Sequence, residues 1–425
     1  MVDLGRLDSR IIALEGDIIA LTRQLVRTNT VNPYSGDPDA AGEEAGQKIV
    51  EALLGSLGAS RVHCVQPREG VYQRMGVLGP ADRCFTGRDN VIGHFSFPHA
   101  GPTFLVNGHM DTVGTVGMTV APFGAELREG RIYGRGSADQ KGTLAAALVA
   151  IKALLEQADQ LGGELIFMSV VDEECNGAGA GTLACVEAGL RADGGLLTDG
   201  FDYKLCHTAN GMITAEVFVE GRSAHSSAPD AGVSAIDKTI LVKAGIDRFI
   251  EARRMAAGSL PVNLGVLRSG TLPSMVAGEG YLSLNAEYAP EEAGDGECLR
   301  QQLVSAIDQQ IRSQGDTWLA AHPPRVTLMK DFAPVAVPEH AGVVGNALRA
   351  ACALFGEQIQ FHRFIPTCDG GHLFLRGGVP MVFFGTPELS QCHTPTESVA
   401  VKDLLAAARM YGRLMALQLA PQNLV

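Results

Sequence analysis

Residues 103–115, TFLVNGHMDTVGT, join an apolar run to a histidine and an aspartate. The apolar run favours a buried β-strand, and His109 and Asp111 then stand at the carboxyl end of that strand. One interpretation is simple, because polar residues gather wherever a strand meets solvent. The other is chemical, since histidine and aspartate are both common metal ligands. The rest of the chain has to decide between these two interpretations.

The pattern around this strand predicts an α/β domain. Helical runs such as KGTLAAALVAIKALLEQA alternate with four apolar, strand-like runs: TFLVNGH, ELIFMSVV, GGLLTDG and PMVFFGT. Such alternation is typical of a buried sheet, so we expect a mostly parallel sheet in a domain formed by residues 1–210 and 329–425. Helical spacing also predicts helices over residues 9–28, 43–57, 341–355 and 402–418. Residues 68–88 contain several glycines and basic residues and are predicted to form a surface loop.

The pattern of apolar and polar residues changes near residue 211. The run MITAEVFVEG alternates as a half-exposed strand would, and a helix is expected at about 234–254. Strands in PVNLGVLRSG and GYLSLNAEYAP follow, then a polar helix over 297–314 and a last strand near PRVTLMK. This order predicts a smaller α+β domain of split-βαβ, ferredoxin-like type, inserted into the first domain over residues 211–328.

Composition and charge narrow the function classes. The length of 425 residues predicts two or three domains. A net charge of −13 without a Lys/Arg cluster disfavours nucleic acid and anionic membrane surfaces as partners. No window offers the roughly 18 apolar residues of a membrane span, and the first residues lack the features of a signal peptide, so we expect a cytoplasmic protein. Nine cysteines without CxxC pairing argue against a disulfide framework.

Polar residues cluster at the predicted strand ends, where open parallel sheets bind ligands. The residues at these ends and at the start of the long helix are His109, Asp111, Asp139, Asp172, Glu173, Glu174, Thr198, Asp199 and His393. Imidazoles and carboxylates without thiolates match zinc chemistry, and the surplus carboxylate suggests two metals with a bridging ligand and a spare base. Simpler alternatives stay open: Asp139 as a helix N-cap, Glu173–Glu174 as a solvated turn, and His393 as a loop histidine.

At this point the sequence resembles a known family. Five ordered motifs resemble those of the M20 metallopeptidases: NGHMDTVG, IYGRGSADQKG, VVDEECNGAG, GRSAHSSAPDAGVSAI and CHTPTESV. That family includes acetylornithine deacetylase, succinyl-diaminopimelate desuccinylase, aminoacylase and carboxypeptidase G-type enzymes. The resemblance implies two divalent metal ions, with Zn²⁺ expected and Co²⁺ or Mn²⁺ as alternatives. It further implies that His109, Asp139 and Asp199 hold one metal. Asp139, Glu174 and His393 would hold the other, with Asp139 as the bridge.

The resemblance also implies roles for residues that do not bind metal. Glu173 is expected to be the general base, and Asp111 to orient the neighbouring histidine ligand. The inserted domain would act as a lid and form a homodimer. Its His225 would reach the active site of the partner subunit and stabilise the oxyanion. The peptide bond between Asp139 and Gln140 is expected to be cis.

Substrate recognition departs from the family pattern. Ser274 stands where relatives carry a lid asparagine, and Glu287 stands where relatives carry an arginine that grips the substrate carboxylate. A carboxylate cannot bind another carboxylate well. Either another cation (Arg222, Arg268 or Arg376) takes this role, or the substrate lacks a carboxylate. Glu287 would then favour a cationic or amine-bearing substrate, unless it is only a solvated strand residue.

The sequence therefore predicts a metal-dependent hydrolase of amide or peptide bonds that acts on small molecules. The leading hypothesis is hydrolysis of a small N-acyl amino acid or related amide by metal-activated water, with Glu173 as general base. A dipeptidase or aminopeptidase-like M20 enzyme is the alternative, and Asp199 favours it weakly, because several dipeptidases of the group have aspartate at this ligand position. A non-catalytic binding homologue is a third hypothesis. The complete ligand set and the retained Glu173 speak against it.

Overall fold

The computed structural model of the chain describes residues 2–175, 177–255, 260–292, 296–385 and 388–421. The helices are α1 (Leu4–Ala13), α2 (Glu15–Arg27), α3 (Glu44–Ser56), α4 (Val71–Arg74), α5 (Gly142–Leu155), α6 (Ala180–Glu187), α7 (Ala235–Met255), α8 (Gly296–Gln314), α9 (Thr317–Ala321), α10 (Gly342–Phe355), α11 (Gly370–Leu375) and α12 (Val401–Gln418). None of these helices is both long enough and apolar enough to cross a membrane.

The strands fall into three sheets. They are β1 (Arg61–Val65), β2 (Asn90–Ser96), β3 (His99–His109), β4 (Glu126–Arg128), β5 (Arg131–Tyr133), β6 (Gly162–Val170), β7 (Gly194–Leu197), β8 (Leu205–Ala209), β9 (Gly211–Glu220), β10 (Val262–Ser269), β11 (Glu279–Tyr288), β12 (Arg325–Phe332), β13 (Val335–Ala336), β14 (Phe361–Phe364), β15 (Met381–Phe383) and β16 (Ser398–Ala400).

The chain divides into two compact units. The first consists of the residues up to Gly76, Ala81–Ala209 and the residues from Val335 onward, and the second of Val77–Pro80 and Asn210–Pro334. The predicted range of the inserted domain, 211–328, falls inside the second unit. The segment Val77–Pro80 was not expected in that unit, because nothing in its sequence signals a long-range contact.

The first unit is built on a mixed sheet with a parallel centre. Its strand order is β1-β2-β6-β3-β7-β15-β8-β13, with β14 pairing with β8. Strand β3 runs parallel to both β6 and β7, and β15 runs parallel to β7. Strands β1 and β2 add an antiparallel edge, and β16-β5-β4 form a separate small sheet. This confirms the predicted α/β class with a mostly parallel sheet.

Helix α5 shows how the core of this unit is built. Its residues are apolar nearly all round, and all of them are buried except Lys152 and the last residue, Leu155. A helix without a polar face must be covered on all sides, and α5 packs against α2 and α12 as well as against β3. Because α5 starts beside the carboxyl end of β3, it fixes the position of the turn Ser137–Lys141 that precedes it.

Two local predictions were wrong. The opening helix expected over 9–28 is two helices that meet at Leu14, and the acidic residues Glu15 and Asp17 lie in the first turn of the second, where the helix dipole favours them. The predicted surface loop over 68–88 instead contains helix α4 and deeply buried side chains. Arg83 is 6% exposed and Arg88 is 4% exposed. Both arginines lie inside the protein because they pair with buried carboxylates.

The second unit is a four-stranded antiparallel sheet with order β10-β11-β9-β12. Alternate side chains of β9, among them Ile213 and Val217, face the helices α7 and α8 and form a separate apolar core. The element order β9-α7-β10-β11-α8-β12 confirms the predicted split-βαβ arrangement. The short helix α9 was not predicted. It begins at an N-cap aspartate, Asp316, whose side chain accepts a hydrogen bond from the Leu319 N–H.

Candidate metal centre

Three adjacent strands deliver polar residues to one edge of the central sheet. Strands β6, β3 and β7 are parallel neighbours, and His109 at the end of β3 is in register with Val170 at the end of β6. The turn with Glu173 and Glu174 follows β6, and Asp199 follows β7. The carboxyl ends of these strands meet at one edge, so the side chains predicted from the sequence emerge next to one another.

Asp139 lies between two histidines and offers one carboxylate oxygen to each. Its Oδ1 is 3.1 Å from Nε2 of His109, and its Oδ2 is 3.3 Å from Nε2 of His393. His393 Nε2 is also 2.9 Å from Oε1 of Glu174. His109, Asp139 and Glu174 each place one potential ligand atom within 4.8 Å of the others. These three residues could therefore hold a metal ion.

The ring of His109 is oriented by the backbone of Asp111. Nδ1 of His109 is 3.0 Å from the carbonyl oxygen of Asp111, and 3.6 Å from the carboxylate of the same residue. A carbonyl oxygen can only accept, so Nδ1 donates to it, and Nε2 is the ring atom of His109 that would bind a metal ion. The contact between Asp111 and the ring of His109 is thus made mainly by the carbonyl oxygen of Asp111.

The carboxylate of Asp111 contacts the turn after β6 instead. It accepts the backbone N–H of Glu173 at 3.2 Å and that of Glu174 at 2.9 Å. The side-chain amide of Asn32 donates to the same carboxylate at 2.8 Å. Asp111 is completely buried and therefore positions the two glutamates from inside the protein. The sequence around Asp111 gave no signal that its carboxylate contacts the turn after β6 rather than His109.

The backbone of Asp139 is held by a residue that the sequence interpretation missed. Glu397 is completely buried and accepts the N–H groups of Ala138 and Asp139 at 3.0 and 3.2 Å. Its other oxygen pairs with Arg135 at 2.6 Å. Glu397 lies in the quoted motif CHTPTESV, which was the available signal. The peptide bond that follows Asp139 is cis, as the resemblance implied.

Asp139 is not a helix cap. The N-cap position of α5 is Lys141, which makes no side-chain capping bond, and the carboxylate of Asp139 faces the two histidines instead. His393 is also not an ordinary loop histidine, because its ring nitrogen contacts both Asp139 and Glu174. The structure therefore does not support the simpler alternatives, a helix N-cap for Asp139 and an ordinary loop histidine for His393.

The electrostatics of the cluster favour a bound cation. Burial raises the pKa of Glu173 well above its usual range. Burial, together with the charge of Asp139, raises the pKa of Asp199 to about 8. The charge of Glu174 raises the pKa of His393 to about 11. Too many carboxylates share a poorly solvated site, and divalent cations would stabilise their ionised forms.

The cluster is deeply buried on one side and open on the other. His109 is 2% exposed, whereas the side chain of His393 is 49% exposed. The side chain of Glu173 is 14% exposed, and its Oε2 lies 4.0 Å from Nε2 of His109. The cluster is therefore accessible to solvent at His393.

The remaining predicted residues do not belong to this group of potential ligand atoms. Arg376 is exposed, and its guanidinium donates to the carbonyl of Gly76 at 2.8 Å. In the second unit, exposed His225 forms an isolated β-bridge with Met275, and the adjacent Ser226 N–H donates to the carbonyl of Ser274 at 3.0 Å. His225 and Ser274 are thus close neighbours within that unit.

The environments of three further residues of the second unit bear on substrate recognition. Glu287 is half-buried and accepts the side-chain amide of Asn210 at 2.9 Å, and burial raises its pKa to about 7. It is therefore not simply a solvated strand residue. Arg222 stacks over the ring of Trp318 at 5.5 Å. Arg268 lines a cavity of about 860 Å³ beside the sheet.

A parallel-sheet domain with a cluster of histidines and carboxylates at its strand ends is typical of metal-dependent hydrolases. The sequence profile of a family described as Peptidase family M20/M25/M40 matches residues 105–417. The chain belongs to this family, which confirms the resemblance drawn from its motifs. It is a hydrolase of amide or peptide bonds, as its relatives are.

Individual relatives act on different amides. The chain is 27% identical over 334 residues to an N-formyl-4-amino-5-aminomethyl-2-methylpyrimidine deformylase from Halalkalibacterium halodurans, with 71% of this chain and 76% of the relative covered. It is 25% identical over 417 residues to a succinyl-diaminopimelate desuccinylase from Rhodospirillum centenum, with 93% and 95% covered. A solved dipeptidase from Saccharomyces cerevisiae superposes with a TM-score of 0.76 at 13% identity, with 99% of both chains covered, and therefore shows the same fold.

Proposed function

We propose that the protein hydrolyses the amide bond of a small acylated amine. It would use two divalent metal ions for this reaction, and zinc is the metal expected first. The observation that carries this proposal is Asp139, whose two carboxylate oxygens each face a different histidine. The donor set of imidazoles and carboxylates without thiolates fits zinc, with cobalt or manganese as alternatives. One site would be formed by His109, Asp139 and Asp199, and the other by Asp139, Glu174 and His393.

Glu173 is the general base of this proposal. When bound, the two cations act as Lewis acids and lower the pKa of water from about 15.7 towards 7. Glu173 lies beside the cluster, takes the proton of the attacking water, and delivers that proton to the leaving amine. Burial raises the pKa of Glu173 above its usual range, which makes its carboxylate a better proton acceptor for this step. No covalent intermediate is required.

His225 would complete the site from a partner subunit and stabilise the developing oxyanion. Two features of the second unit support dimerisation. Within the described residues strand β10 pairs only with β11, so its other edge is open. Exposed apolar side chains lie on β10 and on the adjacent helix α7: Leu267 is 48%, Ile236 46% and Ile240 58% exposed. An open edge beside apolar side chains fits a second copy of the chain.

Substitution of Ile240 by glutamate is expected to convert the dimer into a monomer. A charge placed in an apolar interface raises the dissociation constant by about 100-fold or more. Sedimentation velocity measures the oligomeric state. The matched control is Ile12→Glu, which changes an isoleucine of the first unit that is 48% exposed. The I240E monomer should keep its metal but lose most of its activity, because it lacks the partner's histidine. A wild-type protein that sediments as a monomer would contradict this proposal.

We propose further that the amine portion of the substrate carries no carboxylate. Glu287 stands where family members carry the arginine that holds this carboxylate, and it has an amide rather than a cation as its partner. A half-buried carboxyl with a pKa of about 7 can accept from, or donate to, an amine or an aminopyrimidine ring. The deformylase relative acts on a formylated aminomethylpyrimidine, a substrate of this kind.

A substrate screen tests this assignment. We expect the wild-type enzyme to prefer N-formyl or N-acetyl derivatives of aminomethyl heterocycles over N-acetyl amino acids and dipeptides by at least tenfold in kcat/KM. Glu287→Arg should reverse this preference, because it replaces a repelling carboxylate by a cation. The matched control is Glu279→Arg at the other end of β11, which should leave the preference unchanged. A wild-type enzyme that hydrolyses dipeptides fastest would favour the dipeptidase alternative.

A further inference from the structure

The two glutamates of the proposed site lie on a turn with unusual backbone geometry. Asp172, directly before Glu173, has a φ of 64°, and Cys175, directly after Glu174, has a φ of 55°. Residues other than glycine rarely adopt this left-handed conformation, and they keep it when the surrounding structure enforces it. The Glu173–Glu174 pair is therefore bounded on both sides by strained residues that need external support.

One buried guanidinium bonds to both strained residues. Nη1 of Arg83 donates to the carboxylate of Asp172 at 3.3 Å, and Nη2 of the same group donates to the carbonyl of Cys175 at 2.6 Å. The planar fork of arginine suits this task, since its donors point in fixed directions and can span two acceptors at once. Arg83 thus connects the two ends of the turn that carries the glutamates.

The position of Arg83 is itself well defined. Its guanidinium stacks over the ring of Tyr34 at 4.0 Å from the ring centre, which favours a single orientation. Asp172 also accepts from the hydroxyl of Tyr72 at 2.9 Å and from Arg88 at 3.1 Å. Arg88 in turn forms a bidentate ion pair with buried Glu43. The end of the turn at Asp172 is therefore a rigid anchor, from which Arg83 extends to Cys175.

We infer that Arg83 is a positioning residue for catalysis. Arg83 bonds to the two ends of the turn Asp172–Cys175, while the carboxylate of Asp111 accepts the N–H groups of the two glutamates between them. Together these contacts fix the direction of the Glu173 carboxylate towards the attacking water. This inference rests on the proposed function, in which Glu173 is the base. Catalytic groups require supporting contacts of this kind, because a small misplacement lowers the rate steeply.

Arg83→Lys tests this inference. Lysine keeps a positive charge beside Asp172, but a single ammonium cannot reproduce the fork to Cys175. We expect kcat to fall at least tenfold, KM to stay within threefold, and metal content and circular dichroism to match wild type. A loss confined to kcat shows that a group acting in the transition state is displaced. The matched control is Arg74→Lys in the same segment, whose pair with Glu187 lies at the surface and whose kcat should stay within twofold.

Two outcomes would overturn the inference: an R83K enzyme with wild-type kcat, or one whose kcat falls only in proportion to a loss of folded protein. If R83K does not fold, Tyr34→Leu decides the question, since it removes the stacking surface and leaves every charge in place. It should lower kcat at least threefold at unchanged KM, and an unchanged kcat would overturn the inference. A wild-type protein that binds no metal or hydrolyses no amide would refute the proposed function instead, so the two failures are distinguishable.

Discussion

Replacement of Glu173 by glutamine is expected to lower kcat by about 10²–10⁴-fold, the usual contribution of a general base. Glutamine has nearly the same shape as glutamate but cannot take a proton. KM and metal content should remain close to wild type, because Glu173 is not among the proposed ligands. Steady-state kinetics on the best amide of the screen, with metal content measured by mass spectrometry, gives all three quantities.

The control for this experiment is Glu187→Gln. Glu187 is a partly exposed residue at the end of α6 that pairs with Arg74, so the substitution makes the same chemical change away from the cluster. Its kcat should equal that of wild type within twofold. If Glu173→Gln retained its metal and fold but hydrolysed the substrate as fast as wild type, Glu173 would not be the base.

Replacement of Asp139 by alanine should remove both metals and abolish activity. A bridging carboxylate is a ligand of both cations, so its loss weakens both sites at once, whereas loss of any other ligand weakens one. We expect the metal content to fall from about two ions per chain to below about one. Mass spectrometry of dialysed protein measures this content, and added Zn²⁺ should not restore hydrolysis.

Asp193→Ala provides the matched control. Asp193 lies just before β7, at the opposite end of the sheet, where its carboxylate accepts the N–H of Thr103. This variant loses one exposed hydrogen bond but no proposed ligand, and it should keep its metal. An Asp139→Ala protein that still held two ions per chain would show that Asp139 is not the bridge.

The positions of the candidate ligands could be predicted because two independent signals agreed. Apolar strands alternating with helices predicted a parallel sheet, and His109 and Glu174 follow two of its strands directly. Asp139 and His393 lie in loops, where no periodicity places a side chain. They were included because Asp139 precedes the long helix and His393 follows the last predicted strand, and the resemblance of their motifs then implied their roles as ligands. The structure brings these four residues together at one edge of the sheet.

The residues that support the cluster could not be predicted, for a physical reason. Glu397 contacts the backbone of Asp139, and Arg83 contacts Cys175, across long separations in the chain. A local pattern carries no information about such contacts. A charged residue in a glycine-rich segment also suggests solvent exposure, because buried charges are rare. Arg83 and Arg88 are exceptions, since Asp172 and Glu43 compensate their charges inside the protein.

The second unit was predicted from strand alternation in β9 and β11, which shows which side chains face its helices. The role of His225 could not be tested in this way. It depends on a second copy of the chain, and it stays a prediction that the I240E experiment addresses.

The central claim is that two cations share Asp139, and anomalous X-ray diffraction at the zinc edge tests it most directly. Crystals grown with Zn²⁺ should show two anomalous peaks about 3.5–4 Å apart. One peak should lie beside His109 and Asp199, the other beside Glu174 and His393, with Asp139 between them. A single peak that does not contact Asp139, or no peak at this edge of the sheet, would contradict the account.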